Sequence, residues 1–174
     1  FVSVSHYVNT TDRFKARVRN ATLERMLSFD PHENDERYLA AFAEKFRRFA
    51  PSQVKCFPNS LAVFADYLRR SGTRVPPLRS IACAGENLYR GQRELFREVF
   101  GGEVFLKYGT RDAGVIACEC PAHDGLHLFT EGAYVEVIKE DGSPAEAGES
   151  GRVLVTDLFN RAMPLIRYEI GDMA

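Results

Sequence analysis

The chain has 174 residues with a formal net charge of −1, 45% of them hydrophobic and 27% charged. That balance is ordinary for a globular protein and carries no basic field that would draw nucleic acid or a membrane surface. No apolar run approaches a membrane span and the start is not signal-like. The four unevenly spaced cysteines, Cys56, Cys83, Cys118 and Cys120, do not read as a secreted disulfide framework, so a reduced, cytoplasmic setting is expected. A start at Phe1 and an end at Ala174, just after a structured-looking stretch, are expected of a piece of a longer protein.

Taken in chain order, FVSVSHYV is extended and Phe14 to Leu27 is expected to be helical. Asp30-Pro31 followed by Glu33 predicts a helix start: a capping carboxylate, a first-turn proline and a capping-box acid. Leu39, Phe42, Phe46 and Phe49 then recur at helical spacing and predict a buried face. VKCF reads as a buried strand ending at Pro58. Asn59 or Ser60 is expected to cap the next helix, with Leu61, Phe64 and Leu68 inward and Gly72 past its end. The strand SIACA leads into Gly85-Glu86-Asn87. A helix carrying Leu95, Phe96 and Val99 follows and stops at Gly101-Gly102, before the strand VFLKY. Cys56 and Cys83 lie in apolar runs and are expected to be small buried hydrophobes.

Beyond residue 103 helical signals vanish. VFLKY, VIACEC, LHLF, YVEVIK, GRVLVT and PLIRYE read as short strands, punctuated by glycines at 125, 142, 148 and 151. YVEVIKEDG alternates apolar and polar residues, as a half-exposed antiparallel strand does. The expected class is α/β, a parallel βαβ layer leading into a small antiparallel or barrel-like β subdomain. The expected boundary divides residues 1–112, a partial nucleotide-binding subdomain, from residues 113–174, a partial antiparallel one.

Ligands of parallel α/β sheets bind at the carboxyl ends of strands. Two loops fall there, AGEN (84–87) after SIAC and YGTRD (108–112) after VFLK, on strands expected to be neighbours. They offer close-approach glycines, an aromatic face, a hydroxyl, a guanidinium and two carboxylates. An aromatic ring can stack on a base, Thr110 and Arg111 can meet phosphate, and Asp112 can hold Mg²⁺. The plainer alternative makes AGEN a strand-to-helix turn with Glu86 near a cap, and YGTRD a polar turn. Farther on, GRVLVTDLFNRAMPLIRYEIGD delivers Arg167, Tyr168 and Asp172. Asp172 is either a turn residue or a partner for vicinal ribose hydroxyls.

In this order and at these distances the segments resemble the adenylate-forming acyl-CoA ligases, in particular the branch of phenylacetate-CoA ligases and their capsular-polysaccharide-biosynthesis (CapK-like) relatives. FPNSLAVFADYLRRSG resembles that branch's proline-serine helix segment, IACAGENL its adenine-site loop and YGTRDAG its YGxxE loop. GLHLFTEGAYVEVI is similar to its GLH strand pair, and GESGRVLVTDLFNRAMPLIRYEIGD to its long GExGxxxxTxLxxxxMPxIRYxxGD stretch. The resemblance covers most of the chain.

It implies a two-step reaction. A carboxylate attacks the α-phosphorus of MgATP, giving an acyl-adenylate and pyrophosphate, and a thiol, usually coenzyme A, then takes the acyl group. It places Ala84, Gly85 and Glu86 against adenine, stacks Tyr108 on the base beside Gly109, and sets Thr110 and Arg111 near the α-phosphate. Asp112 would take the position of the Mg²⁺-binding glutamate and Asp172 would bind the ribose. Arg167 is assigned to support of the last loop. The substrate it implies is a small carboxylic acid, with a tilt toward aryl or arylacetic acids, and Phe57, Cys83 and Ala84 are candidate lining residues.

Two residues depart from the pattern: Arg111 stands where Ser or Thr precedes the acid, and Asp112 is one methylene shorter than the usual Glu. The family's Ser/Thr/Gly-rich phosphate loop is expected upstream of Phe1, and its lid domain with the catalytic lysine downstream of Ala174. Since these groups cradle the phosphates and offset transition-state charge, the chain alone is expected to be inactive.

Two further signals stay open. Cys118, Cys120, His123 and His127 form C-x-C-x₂-H-x₃-H, which either holds a structural zinc or consists of buried thiols and a surface histidine; His127 also matches the GLH of the resembled family. The basic end of the helix of Leu39 to Phe49, Lys45, Arg47 and Arg48, is a solvated face that favours the helix C-terminus or a contact for coenzyme A phosphates. The rival function is a non-catalytic protein that keeps the ligase scaffold to bind a nucleotide or a partner. A dinucleotide oxidoreductase is excluded, because no G-x-G-x-x-G follows a strand.

Overall fold

A computed structural model describes residues 2–4 and 25–174. The expected helix from Phe14 and the extension of the first strand past Val4 fall outside the described residues. Leu27, expected at that helix's end, instead lies in a strand. The chain divides into two compact units, Phe1–Leu106 and Lys107–Ala174.

In the first unit β1 (Val2–Val4) pairs in parallel with both β2 (Leu27–Phe29) and β3 (Gln53–Cys56), and β3 pairs in parallel with β4 (Ser80–Ala84). The strand order is β2-β1-β3-β4-β5, where β5 is Glu103–Thr110. Among the described residues three helices connect the strands: α1 (Glu36–Phe49), α2 (Pro58–Ser71) and α3 (Arg90–Phe100). α1 buries Leu39, Phe42, Ala43 and Phe46, one stripe at helical period. Phe49, expected on that stripe, is at the helix's last position and is exposed. Phe29, Phe42, Phe46, Phe64 and Phe100 form a continuous run of ring contacts, with centroids 4.8 to 6.3 Å apart. Each fully buried ring contributes roughly 1.5–3 kcal/mol of transfer free energy.

Two helix starts differ from expectation. α1 is capped by Asp35, whose Oδ1 accepts from the Tyr38 N–H at 2.8 Å. Asp30 instead closes a local turn on the His32 N–H at 3.0 Å, five residues before the N-cap. α2 begins with Pro58 after Phe57, so neither Asn59 nor Ser60 is its N-cap. The expected helix ends at Gly72 and Gly101 are found, both with the left-handed C-cap conformation.

In the second unit the end of β5 pairs antiparallel with β6 (Gly114–Cys118), and β6 with β7 (His127–Leu128). A three-stranded antiparallel sheet has the order β10-β9-β8, made of β8 (Ala133–Ile138), β9 (Arg152–Asp157) and β10 (Tyr168–Met173). Its core cluster is small: Ile116, Ala133, Val153 and Val155, with Tyr108, Ala113, Val135 and Ile170 packed on it. PLIRYE is not one strand. The chain turns after β9 through Asp157, which accepts from the Phe159 and Asn160 N–H groups, and β10 starts only at Tyr168. The parallel α/β layer and the antiparallel sheet together are the fold class that the sequence predicts.

Candidate functional site

The AGEN loop lies in the first unit, between β4 and α3. Gly85 has φ of +78°, and a Cβ placed there would meet Phe57 Cε1 at 2.4 Å, so the Phe57 ring occupies the space a side chain would need. The Glu86 carboxylate reaches to α2: its Oε2 accepts from the Asn59 N–H at 3.0 Å. Phe57 provides no side-chain cap, so Glu86 supplies from another element the acceptor that this helix N-terminus needs, with its charge at the positive end of the dipole. The Asn59 Oδ1 in turn accepts from Gln92 Nε2 at 2.8 Å, and Gln92 Oε1 accepts from the Tyr89 N–H at 3.1 Å at the start of α3. Sequence inspection missed Gln92. The signal was available, since a glutamine three residues after an N-cap is the acceptor half of a capping box.

Cys56 and Cys83 are register partners in β3 and β4, both buried as expected, with their sulfurs 3.6 Å apart. Their mutual hydrogen bond and burial push the Cys56 thiol far above its ordinary range, so Cys56 stays a neutral core group.

The YGTRDAG segment lies in the second unit and is less of a loop than expected. Tyr108, Gly109 and Thr110 belong to β5 and Gly114 opens β6, leaving Arg111 to Ala113 as the turn. At Gly109 the register shifts, and a Cβ there would lie 2.1 Å from the Gly114 carbonyl oxygen, a backbone clash nothing can relieve by rotating. Thr110 Oγ1 accepts from the Ala113 N–H at 3.0 Å and closes the turn. Its hydroxyl proton stays available as a donor. Arg111 and Asp112 are exposed at the tip.

One pair of sequence-selected residues comes together across 64 positions of chain: Tyr108 Oη donates to Asp172 Oδ2 at 2.7 Å. Burial, the bond to Asp172 and the charge of Asp172 hold the Tyr108 phenol above the usual tyrosine range, so it remains a neutral donor. Asp172 sits in β10 where its register against β9 is irregular between Glu169 and Met173, which frees the strand locally from regular pairing. Arg167, directly before β10, is bonded to side chains of β8 and β9. Its N–H donates to Thr156 Oγ1 at 3.0 Å and its Nε to Glu136 Oε2 at 3.1 Å, with φ at +48°.

The zinc pattern does not assemble. Cys118 ends β6, and Cys120 lies past it in a turn closed by the His123 N–H on the Cys120 carbonyl, so the two thiols do not share a strand face. His123 Nδ1 faces Glu119 Oε2 at 3.3 Å, and among the described residues no three His, Cys, Asp or Glu side chains are grouped to hold a metal ion. Among the same residues no helix is long and apolar enough to cross a membrane.

A parallel α/β layer followed by an antiparallel sheet belongs to a known structural class. The structure superposes with a TM-score of 0.70 on an open conformation of 2-hydroxyisobutyryl-CoA ligase, crystallised with 2-HIB-AMP and CoA, at 18% identity over 99% of this chain and 39% of that one. No family model matches the chain. Among curated proteins it is 27% identical over 131 residues to a phenylacetate-coenzyme A ligase of Thermus thermophilus, covering 72% of this chain and 29% of that protein. It is also 37% identical over 60 residues to the phenylacetate-coenzyme A ligase of Escherichia coli K12, covering 33% of this chain and 14% of that protein. The chain is a relative of the adenylate-forming acyl-CoA ligase superfamily, and it spans under a third of the length of these curated relatives.

Proposed function

We propose that the protein carrying this chain is an AMP-forming carboxylate–CoA ligase, which activates a carboxylic acid with MgATP and passes the acyl group to coenzyme A. The observation that carries this reading is the Tyr108–Asp172 hydrogen bond. It joins an aromatic face and a carboxylate acceptor, the two groups a nucleoside needs for its base and its ribose hydroxyls, in a chain whose relatives are named phenylacetate-coenzyme A ligase. The neighbouring 2-hydroxyisobutyryl-CoA ligase holds an acyl-AMP and CoA, which supports ATP and CoA as the cosubstrates.

In this reading Tyr108 and Gly109 form a wall for the base, Asp172 holds the ribose, and Ala84, Gly85 and Glu86 form the adenine loop. With Glu86 committed to the N-terminus of α2, that loop would meet adenine mainly through its backbone. Thr110 and Arg111 act as donors to the α-phosphate. The Asp112 carboxylate is exposed and makes no hydrogen bond or ion pair among the described residues, so its oxygens are open to a hard cation. That donor suits Mg²⁺, which binds one or two carboxylates alongside substrate phosphates and water; when bound, the ion supplies charge neutralisation of the phosphates. The acid is proposed to be aryl or arylacetic, as in the phenylacetate-CoA ligase and CapK-like branch, and the setting cytoplasmic. The 174-residue chain by itself is proposed to be inactive.

The test is carboxylate-dependent exchange of labelled pyrophosphate into ATP by the full-length protein, across aryl, arylacetic and aliphatic acids, with Asp112→Ala as control. Exchange with one acid class that disappears in the variant is expected. No exchange with any acid would favour the second reading, a nucleotide- or partner-binding protein on the ligase scaffold, which Arg111 in place of the usual Ser or Thr supports.

A further inference from the structure

We infer that Asn59 and Gln92 are positioning residues that set the conformation of the AGEN loop from behind, a proposal that rests on the nucleotide reading of that loop. The connection from β4 to α3 is only five residues long, Gly85 to Tyr89, and two neighbouring helix starts hold it. On one side the Asn59 N–H, in the first turn of α2, binds the Glu86 carboxylate at 3.0 Å. On the other side Gln92, in the first turn of α3, holds the Tyr89 N–H at 3.1 Å and reaches across to Asn59 Oδ1 at 2.8 Å. Asn59 therefore joins both helix starts to Glu86 through one residue: its backbone serves the loop and its side chain serves α3. Phe57, immediately before α2, closes the same assembly by packing its ring on Gly85.

The chemistry of the link explains why an amide is needed at both positions. Gln92 must accept from a backbone N–H and donate to a carbonyl oxygen at once, which a glutamine does and a glutamate or leucine does not. Asn59 must offer an acceptor without adding a second negative charge beside Glu86, which an aspartate would do. The loop's backbone, with Gly85 at positive φ, would otherwise sample other turn conformations. Fixing it before a ligand arrives removes an ordering cost from binding.

Asn59→Ala isolates the link. The Asn59 backbone N–H still meets Glu86, and Gln92 still caps α3, so both helix caps survive. The experiment uses the full-length protein and reads three quantities: the melting midpoint, amide hydrogen exchange at residues 85–88, and the dissociation constant for ATP by calorimetry. Asn59→Ala is expected to move the midpoint by no more than about 3 °C. Exchange at residues 85–88 is expected to quicken and ATP binding to weaken, each by roughly 3- to 10-fold, the scale of one lost hydrogen bond. Gln92→Ala should reproduce both effects and add a loss of α3 stability. Unchanged exchange in the loop of Asn59→Ala overturns the proposal, whatever happens to the midpoint. Faster exchange with unaltered ATP affinity overturns the positioning role and leaves a local packing contact. A wild-type protein that binds no ATP overturns the nucleotide reading itself, and the exchange data then decide only whether Asn59 holds the loop.

Discussion

In the first unit Phe29, Phe46, Phe64, Phe96 and Phe100 are each no more than 1% exposed, whereas in the second Phe159, Ile166 and Met173 are 75%, 72% and 66% exposed. The first unit's rings touch one another across three helices and a strand. The second unit rests on a handful of aliphatic side chains and on its ladder hydrogen bonds. The difference separates two jobs. Stability in the first unit is stored in close-packed apolar volume, where losing a side chain leaves a cavity. In the second, geometry is set by backbone contacts and single polar bonds, so the residues proposed for chemistry can change without emptying a core.

The sharpest test of that contrast substitutes a phenylalanine on each side. Phe64→Ala removes a ring that contacts Phe29, Phe42, Phe46 and Phe100, and denaturant unfolding is expected to show a loss of about 3–5 kcal/mol. Phe159→Ala, in solvent, is expected to stay within about 0.5 kcal/mol. Equal losses would break the comparison. One backbone position in the second unit is an exception that sharpens it. Gly109→Ala drives a methyl into the Gly114 carbonyl and is expected to cost roughly 1–3 kcal/mol by forcing the β5–β6 hairpin open. A chemical-shift map should confine the change to that hairpin.

The same division governs what could be read from sequence. Helical periodicity located α1, α2 and α3 because the core they face is local and apolar, and Gly72 and Gly101 marked two of their ends correctly. The starts were harder. Asp30-Pro31 had the right chemistry for a cap, but Asp35 had it too and lies directly before the apolar stripe. The acceptor at the start of α2 comes from Glu86, 27 residues away, and no inspection of the α2 sequence reveals it. YGTRDAG looked like a loop because it is polar, yet β5 runs to Thr110, since Gly109 lets the two strands approach more closely than any other residue would. The family resemblance assigned Tyr108 to the base and Asp172 to the ribose, but their direct bond is a finding of the structure, because a contact across 64 residues leaves no local pattern.

Glu86 ties the loop to the start of α2 and gives a smaller effect than Phe64→Ala or Gly109→Ala. Glu86→Ala removes the acceptor at the α2 N-terminus and is expected to cost about 1 kcal/mol, the usual loss for a missing cap. Glu86→Gln keeps an acceptor oxygen without the charge and should recover part of it. The check is the denaturant midpoint of both variants. If Ala and Gln are indistinguishable from wild type, Glu86 does not cap α2.

The smallest effect lies in the second unit and is seen best by titration. The Tyr108 phenol is held above its ordinary pKa by burial, by its bond to Asp172 and by the charge of Asp172. The native state therefore keeps a proton that the unfolded chain releases near pH 10. Below that pH both states are protonated and the hydrogen bond's contribution is fully present. As pH climbs through 10 toward the native pKa, ionisation stabilises only the unfolded chain, and that contribution is lost. Tyr108→Phe removes both the bond and the titration. At neutral pH it should cost only about 0.5 kcal/mol, the low end for a hydrogen bond on a solvent-exposed pair. Between pH 9 and 11 the wild type should lose stability more steeply than the variant, so their denaturant midpoints converge. Parallel curves would mean that Tyr108 does not donate to Asp172 in solution, and the paired acceptor and aromatic face that support the nucleotide reading would be lost with it.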